Sequence, residues 1–246
     1  MFSYLKNHPF SVEAFFKSSW ILTFAIPKDQ IQQLIPPCLK LETHNDKWAF
    51  IAVAMVDSTG LRPKGFPAIL GNDFFLIGYR VFVRYTNAAG KRLRGLYILK
   101  SETDKSKMEF LGNIFTHYNY TTTDIKVTQT NNLTEIESIK SCFKVLIEKS
   151  TEEIHLPENS PFNDWKEARK FAGPLPFTFT FDTDRKEVLI IECVRQNWTP
   201  APIKILNYSF SFLDDLNITG AVLANAFVIN NIPYFWKKGT IEKWNG

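Results

Sequence analysis

Few residues in this chain have the types and spacing that chemistry needs. Between Asn72 and Tyr120 an aromatic run carries two arginines, Tyr79-Arg80-Val81-Phe82-Val83-Arg84, and leads to Gly112-Asn113-Ile114-Phe115-Thr116-His117-Tyr118-Asn119-Tyr120. A guanidinium presents a planar fork of donors that can clamp a carboxylate by two parallel hydrogen bonds, so Arg80 is the first candidate anchor for an acid. His117 changes charge near neutral pH and is the candidate catalytic proton carrier. Asn113, Tyr118 and Asn119 add hydrogen-bonding groups for substrate binding. Each residue also has an ordinary structural role open to it. Arg80 could pair with an internal carboxylate and Arg84 could reach solvent at the strand end; His117 could bond the last carbonyls of a helix, and the asparagines could shape turns.

The remaining reactive types form no constellation. Lys100 and Lys105 flank Ser101-Glu102-Thr103-Asp104, a polar setting that does not desolvate an amine. Lys237-Lys238 are adjacent but lie beside a glycine near the end of the chain. Cys38, Cys142 and Cys193 are widely separated and odd in number, which argues for free thiols in a reducing compartment and against a metal site. No serine sits in a nucleophile elbow and no glycine-rich loop matches a nucleotide motif. No metal and no cofactor is expected.

The elements that must position these residues read mostly as strands. Trp48 to Val56 is apolar and β-branched, a buried strand. Phe74 to Tyr85 alternates, with Phe75, Ile77, Tyr79, Val81 and Val83 on one face and Phe74, Leu76, Arg80, Phe82 and Arg84 on the other. Asn87 to Gly90 turns the chain into a return strand at Gly95–Leu99. Further strands are expected at 127–129, 133–139, 143–148, 177–181, 188–194, 203–213 and 220–229. Short helices follow Pro27, begin near Ser106 with Glu109 at capping-box spacing, and begin at Ser160-Pro161 with Ser160 as N-cap; Gly173-Pro174 ends the last. Phe177, Phe179 and Phe181 form a stripe that lines either a core or a cavity. Without regular strand–helix alternation, the fold class is α+β, mostly β, in one domain spanning residues 1–246.

Composition agrees. The 22 phenylalanines tilt the chain towards a β-rich, aromatic core, and 45% hydrophobic residues can fill it. A net charge of +4, spread without a dense basic tract, excludes a nucleic-acid partner. No apolar run has the length of a membrane span and Met1 to Phe16 lacks signal-peptide order, so a cytoplasmic protein without a membrane partner is expected.

Three stretches, Leu34-Ile35-Pro36-Pro37, Tyr79–Arg84 leading through Gly95-Leu96-Tyr97 to Gly112–Tyr120, and Ala168–Phe179, resemble the YqjF-like branch of the acetoacetate decarboxylase-like superfamily over roughly residues 18 to 240. The resemblance implies a strongly curved antiparallel sheet forming a cone or barrel around a central cavity, and self-association as a homo-oligomer. True acetoacetate decarboxylases carry two adjacent lysines after the helix that follows this strand pair, one of which forms a Schiff base made possible by its neighbour's charge, an example that general accounts of activated lysines use. Here Asn119 and Tyr120 fall near that place, and no lysine lies between Gly112 and Thr123. An amide and a phenol cannot form an imine, so the parent mechanism is not expected. The leading expectation is a protein that binds a small organic acid or ketone; any reaction would be lysine-independent acid–base chemistry with His117 as proton carrier. The rivals are a non-enzymatic sensor or carrier, a scaffold whose cavity is filled by phenylalanines, and a decarboxylase whose lysine arrives from outside this turn.

Overall fold

The computed structural model describes residues 4–149, 153–173, 175–196 and 198–246. In chain order the strands are β1 (Val12–Pro27), β2 (Lys40–Leu41), β3 (Trp48–Pro63), β4 (Asn72–Thr86), β5 (Arg92–Thr103), β6 (Tyr120–Thr122), β7 (Lys126–Gln129), β8 (Leu133–Ser138), β9 (Phe143–Glu148), β10 (Phe177–Asp182), β11 (Glu187–Arg195), β12 (Ala201–Pro202), β13 (Lys204–Phe210), β14 (Val222–Trp236) and β15 (Thr240–Lys243). Among the described residues four short α-helices accompany them: α1 (Lys28–Ile31), α2 (Ser106–Phe115), α3 (Trp165–Ala172) and α4 (Ser211–Asp215). The mostly β expectation is met.

The large sheet runs β14-β1-β3-β4-β5-β10-β11 and then returns, because Cys193, Val194 and Arg195 of β11 pair with Trp236, Phe235 and Tyr234 of β14. These seven strands therefore form a curved ring. Neighbours in the ring are antiparallel except at one seam, where Gly95, Leu96 and Tyr97 of β5 run parallel to Phe177, Thr178 and Phe179 of β10. Alternation sends two sets of side chains to the ring's two faces. Leu22, Phe24 and Ile26 of β1, Ile51, Val53 and Met55 of β3 and Ile77, Tyr79 and Val81 of β4 share one core with Ile136, Phe143, Val145 and Ile147 of the smaller sheet β13-β9-β8-β7. The opposite set includes Ala25, Ala52, Ala54 and Ala224, small side chains that let the strands curve over a narrow interior.

One end of that interior is filled. Phe50, Phe82, Phe162 and Phe171 meet with ring centroids 4.7–6.5 Å apart. Beside them Glu42 binds Arg84 (3.1 Å) and Arg94 (3.2 Å), so Arg84 is an ion-paired residue of this end.

Some local expectations are corrected. The helix expected from Ser160 begins at Trp165: Asp164 caps it by accepting from Glu167 N at 2.7 Å, while Ser160 Oγ donates to Ala224 O at 2.7 Å. Gly173 follows the helix as expected; Pro174 lies outside the described residues. Ser106 is the first residue of α2 rather than its cap, and Glu109 accepts from the Thr122 hydroxyl instead of closing a capping box. The segment read as one strand over 203–213 bends at Ser211 into α4. The 177–181 stripe belongs to the core, with Phe179 buried and Phe177 and Phe181 packed against it.

Candidate functional site: a cavity inside the ring

The other end of the interior holds a cavity of about 190 Å³. All seven ring strands line it: Val12 and Phe16 (β1), Val56 and Ser58 (β3), Phe74, Leu76 and Arg80 (β4), Leu96, Ile98 and Ser101 (β5), Thr178 (β10), Cys193 (β11), Tyr234 and Trp236 (β14). Helix α2 covers it with Met108, Leu111, Gly112 and Phe115, and the segment His8–Phe10 completes the wall. An apolar cavity of roughly 150 Å³ in another protein binds benzene, so this volume suits a ligand of comparable size.

Two arginines line the wall: Arg62 pairs with Glu13 at 2.8 Å, and Arg80 has no such partner. Its Nε is buried without a hydrogen-bond partner, and among the described residues no carboxylate pairs with its guanidinium. The side chain folds back along its own strand: a Cβ built on Gly78 would lie 3.1 Å from Arg80 Nε and 3.2 Å from Nη2. Gly78 is thus the residue that leaves room for the guanidinium. A glycine inside a strand signals close approach or a bulge, and here both occur, since the β4–β5 register shifts between Tyr79 and Arg80. Because of that shift Ile98 and Ser101 face the cavity, whereas Lys100 pairs across from Tyr79, bonds Glu102 at 3.1 Å and lies over the Phe212 ring. In a Gly78→Ala variant the added methyl should displace the guanidinium, which can yield, rather than the strand. The expected result is a shifted Arg80 Nε–H resonance in NMR, with stability changed by less than about 1 kcal/mol. An unmoved resonance would show that Gly78 does not position Arg80.

Around Arg80 the polar groups are held neutral. Burial pushes the Tyr118 phenol far above its ordinary range, and its hydroxyl shares a 2.7 Å hydrogen bond with Thr178 Oγ1. Burial likewise raises Tyr120 to about 12, and raises Tyr234 and the Cys193 thiol, which are hydrogen-bonded to each other. The Arg80 charge opposes each of these shifts without overturning it.

Of the residues singled out in the sequence, the cavity brings together Arg80 and Tyr118. Asn113 is committed elsewhere: its Nδ2 donates to Tyr120 O and its Oδ1 accepts from Tyr120 N, both at 2.8 Å. Asn119 is exposed and supplies a left-handed turn residue, φ 50°. His117 lies outside the lining residues, with Nε2 3.1 Å from Asn7 Oδ1; burial, and then the Lys6 charge, lower its pKa. The residue next to Asn7 is the histidine that does line the cavity. His8 carried no signal in the sequence, because nothing local tied the first residues to α2. Its amide donates to Phe115 O at 3.2 Å and its carbonyl accepts from Gly239 N at 2.9 Å.

The fold resembles solved structures of acetoacetate decarboxylase type. The acetoacetate decarboxylase of Legionella pneumophila aligns with TM-score 0.60 and 12% identity, over 95% of this chain and 88% of that one. An acetoacetate decarboxylase-like enzyme from Sphingomonas wittichii RW1 aligns with TM-score 0.53 and 10% identity, over 97% and 94%. The enduracididine biosynthesis enzyme MppR, complexed with the condensation product of pyruvate and imidazole 4-carboxaldehyde, aligns with TM-score 0.54 and 7% identity, over 95% and 89%. At these identities the likeness concerns the fold. Residues 16–233 match the DUF2071 family, an uncharacterized conserved protein (COG2071), and the chain belongs to that family. No curated protein matches the sequence. Among the described residues no helix is long and apolar enough to cross a membrane.

Proposed function

We propose that the ring cavity binds a small, partly apolar organic acid, with Arg80 as the anchor for its carboxylate and Tyr118 beside it. The half-buried guanidinium, with its Nε buried and no carboxylate partner among the described residues, carries this reading: a cation partly withdrawn from water without a counter-ion is costly, and an anionic ligand of the cavity's size relieves that cost by charge-assisted hydrogen bonds. Phe16, Phe74, Leu76 and Trp236 supply apolar wall for the body of the ligand. Within this proposal stands the finer resemblance to the YqjF-like branch.

Binding without turnover, as in a carrier or sensor, is the form that the wall favours. Among the described lining residues there is no lysine, aspartate or glutamate, and burial keeps the phenols and the thiol protonated. Imine chemistry lacks an amine there, and His117 would need to leave Asn7 to serve as a proton carrier.

Calorimetric titration tests the reading with propionate, butyrate and benzoate against the corresponding neutral amides. The acids should bind and the amides should not, since only the former complement the charge of Arg80. Equal affinities, or no heat from any acid, would remove the organic-acid reading.

A further inference from the structure

The cavity wall has a second unsatisfied point, well apart from Arg80 in sequence. His8 is 6% exposed and its Nδ1 has no partner in hydrogen-bond geometry among the described residues, although the backbone of His8 and of Lys237 lies close enough to the ring to offset part of the effect of burial on its pKa. The backbone fixes it there: the two hydrogen bonds to Phe115 and Gly239 hold the residue at φ 52°, a conformation histidine adopts more readily than most residues. Ser58, 1% exposed with its Oγ unpaired, is a further polar group of the same wall. Buried polar atoms are nearly always paired. Here those of His8, Ser58 and Arg80 are left unpaired around one cavity whose lining is otherwise largely apolar.

We propose that the cavity is a two-point site, in which Arg80 takes the acid and His8 Nδ1 takes a second hydrogen-bonding oxygen of the same ligand. This rests on the organic-acid reading and narrows it, from an apolar monocarboxylate to an acid that also bears a hydroxyl group. A neutral imidazole suits the task, because one ring nitrogen donates and the other accepts; burial holds the His8 pKa below its ordinary value.

Two acids that differ by one oxygen, butyrate and 3-hydroxybutyrate, test the proposal in the full-length protein. Wild-type protein should prefer the hydroxy acid by about tenfold, the usual worth of one well-made hydrogen bond to a buried group. His8→Phe should abolish that preference, so that the two acids bind it alike. His8→Asn, which tolerates positive φ and keeps a hydrogen-bonding side chain, serves if the phenylalanine variant does not fold, and should retain part of the preference. Arg80→Ala should weaken both acids alike. The His8 ring resonances in NMR should move on addition of 3-hydroxybutyrate and stay in place with butyrate. If both acids bind and the preference survives in His8→Phe, or is missing in wild type, the His8 role is overturned and the Arg80 reading stands. If neither acid binds, the organic-acid reading falls and takes the two-point site with it.

Discussion

Arg80→Ala is expected to lower affinity for a carboxylate ligand by about 2–4 kcal/mol, roughly 30- to 1,000-fold. Stability should move the other way. In the free protein the guanidinium has no counter-ion among the described residues, and its charge is felt by Tyr118 and Tyr234, which line the same cavity. Replacing this half-buried cation, whose Nε is buried and unpaired, with an apolar side chain removes a desolvation cost. Arg80→Met, which keeps most of the volume, should therefore raise the melting temperature of the ligand-free protein by roughly 2–4 °C, the effect of about 1 kcal/mol in a domain of this size. Adding ligand reverses the comparison, because wild type gains stability as binding saturates and the variant does not. A thermal melt of the two proteins with and without butyrate reads both signs at once. If Arg80 were a structural residue, the variant would melt lower in the absence of ligand, and that outcome would defeat its assignment as an anchor.

The sequence carried the face on which Arg80 stands but not the space in front of it. Alternation along β4 put Phe74, Leu76 and Arg80 together, and all three line the cavity. The wall opposite comes from β10, β11 and β14, roughly 100 to 150 residues later in the chain, and no local pattern announces that Cys193 and Tyr234 will meet beside a guanidinium. For the same reason Arg84 and Arg80 looked alike, although Glu42, just after β2, reaches Arg84 and no carboxylate among the described residues reaches Arg80. Strand β1 escaped notice because its second half, Trp20 to Ile26, is buried on both faces of the ring and shows no period of two. With β1 unread, the segment before it had no place, and His8 with it. His117 drew attention because it follows α2 directly; the N-terminal segment crosses that helix end, uses Asn7 to hold His117, and sends His8 into the wall. The bulge that turns Lys100 away from the cavity was not legible, because it needed both strands in register.

Ring closure rests on a seam that a single methyl group should open. Gly95 pairs with Phe177 where β5 and β10 run parallel, and only three residue pairs make that seam. A Cβ at Gly95 would stand 2.2 Å from Phe177 O, 2.8 Å from Phe177 C and 2.7 Å from Phe179 Cε2. Gly78 meets the tip of a flexible side chain, but here the obstacle is backbone, which cannot retreat without losing the hydrogen bonds of the seam. The Phe179 ring cannot swing aside freely either, being 1% exposed and packed 5.7 Å from Tyr85. Gly95→Ala should therefore cost about 3 kcal/mol or more, at the upper end for overpacked sites, and lower the melting temperature by roughly 6–12 °C. The damage should reach the cavity, since Thr178, next in the seam, holds the Tyr118 hydroxyl at 2.7 Å. Carboxylate affinity should thus fall in this variant even at temperatures where it remains folded, with Arg80 itself untouched. A melting temperature equal to that of wild type would mean that β5 and β10 do not close the ring as described, and the cavity would then lose the wall that gives it its shape.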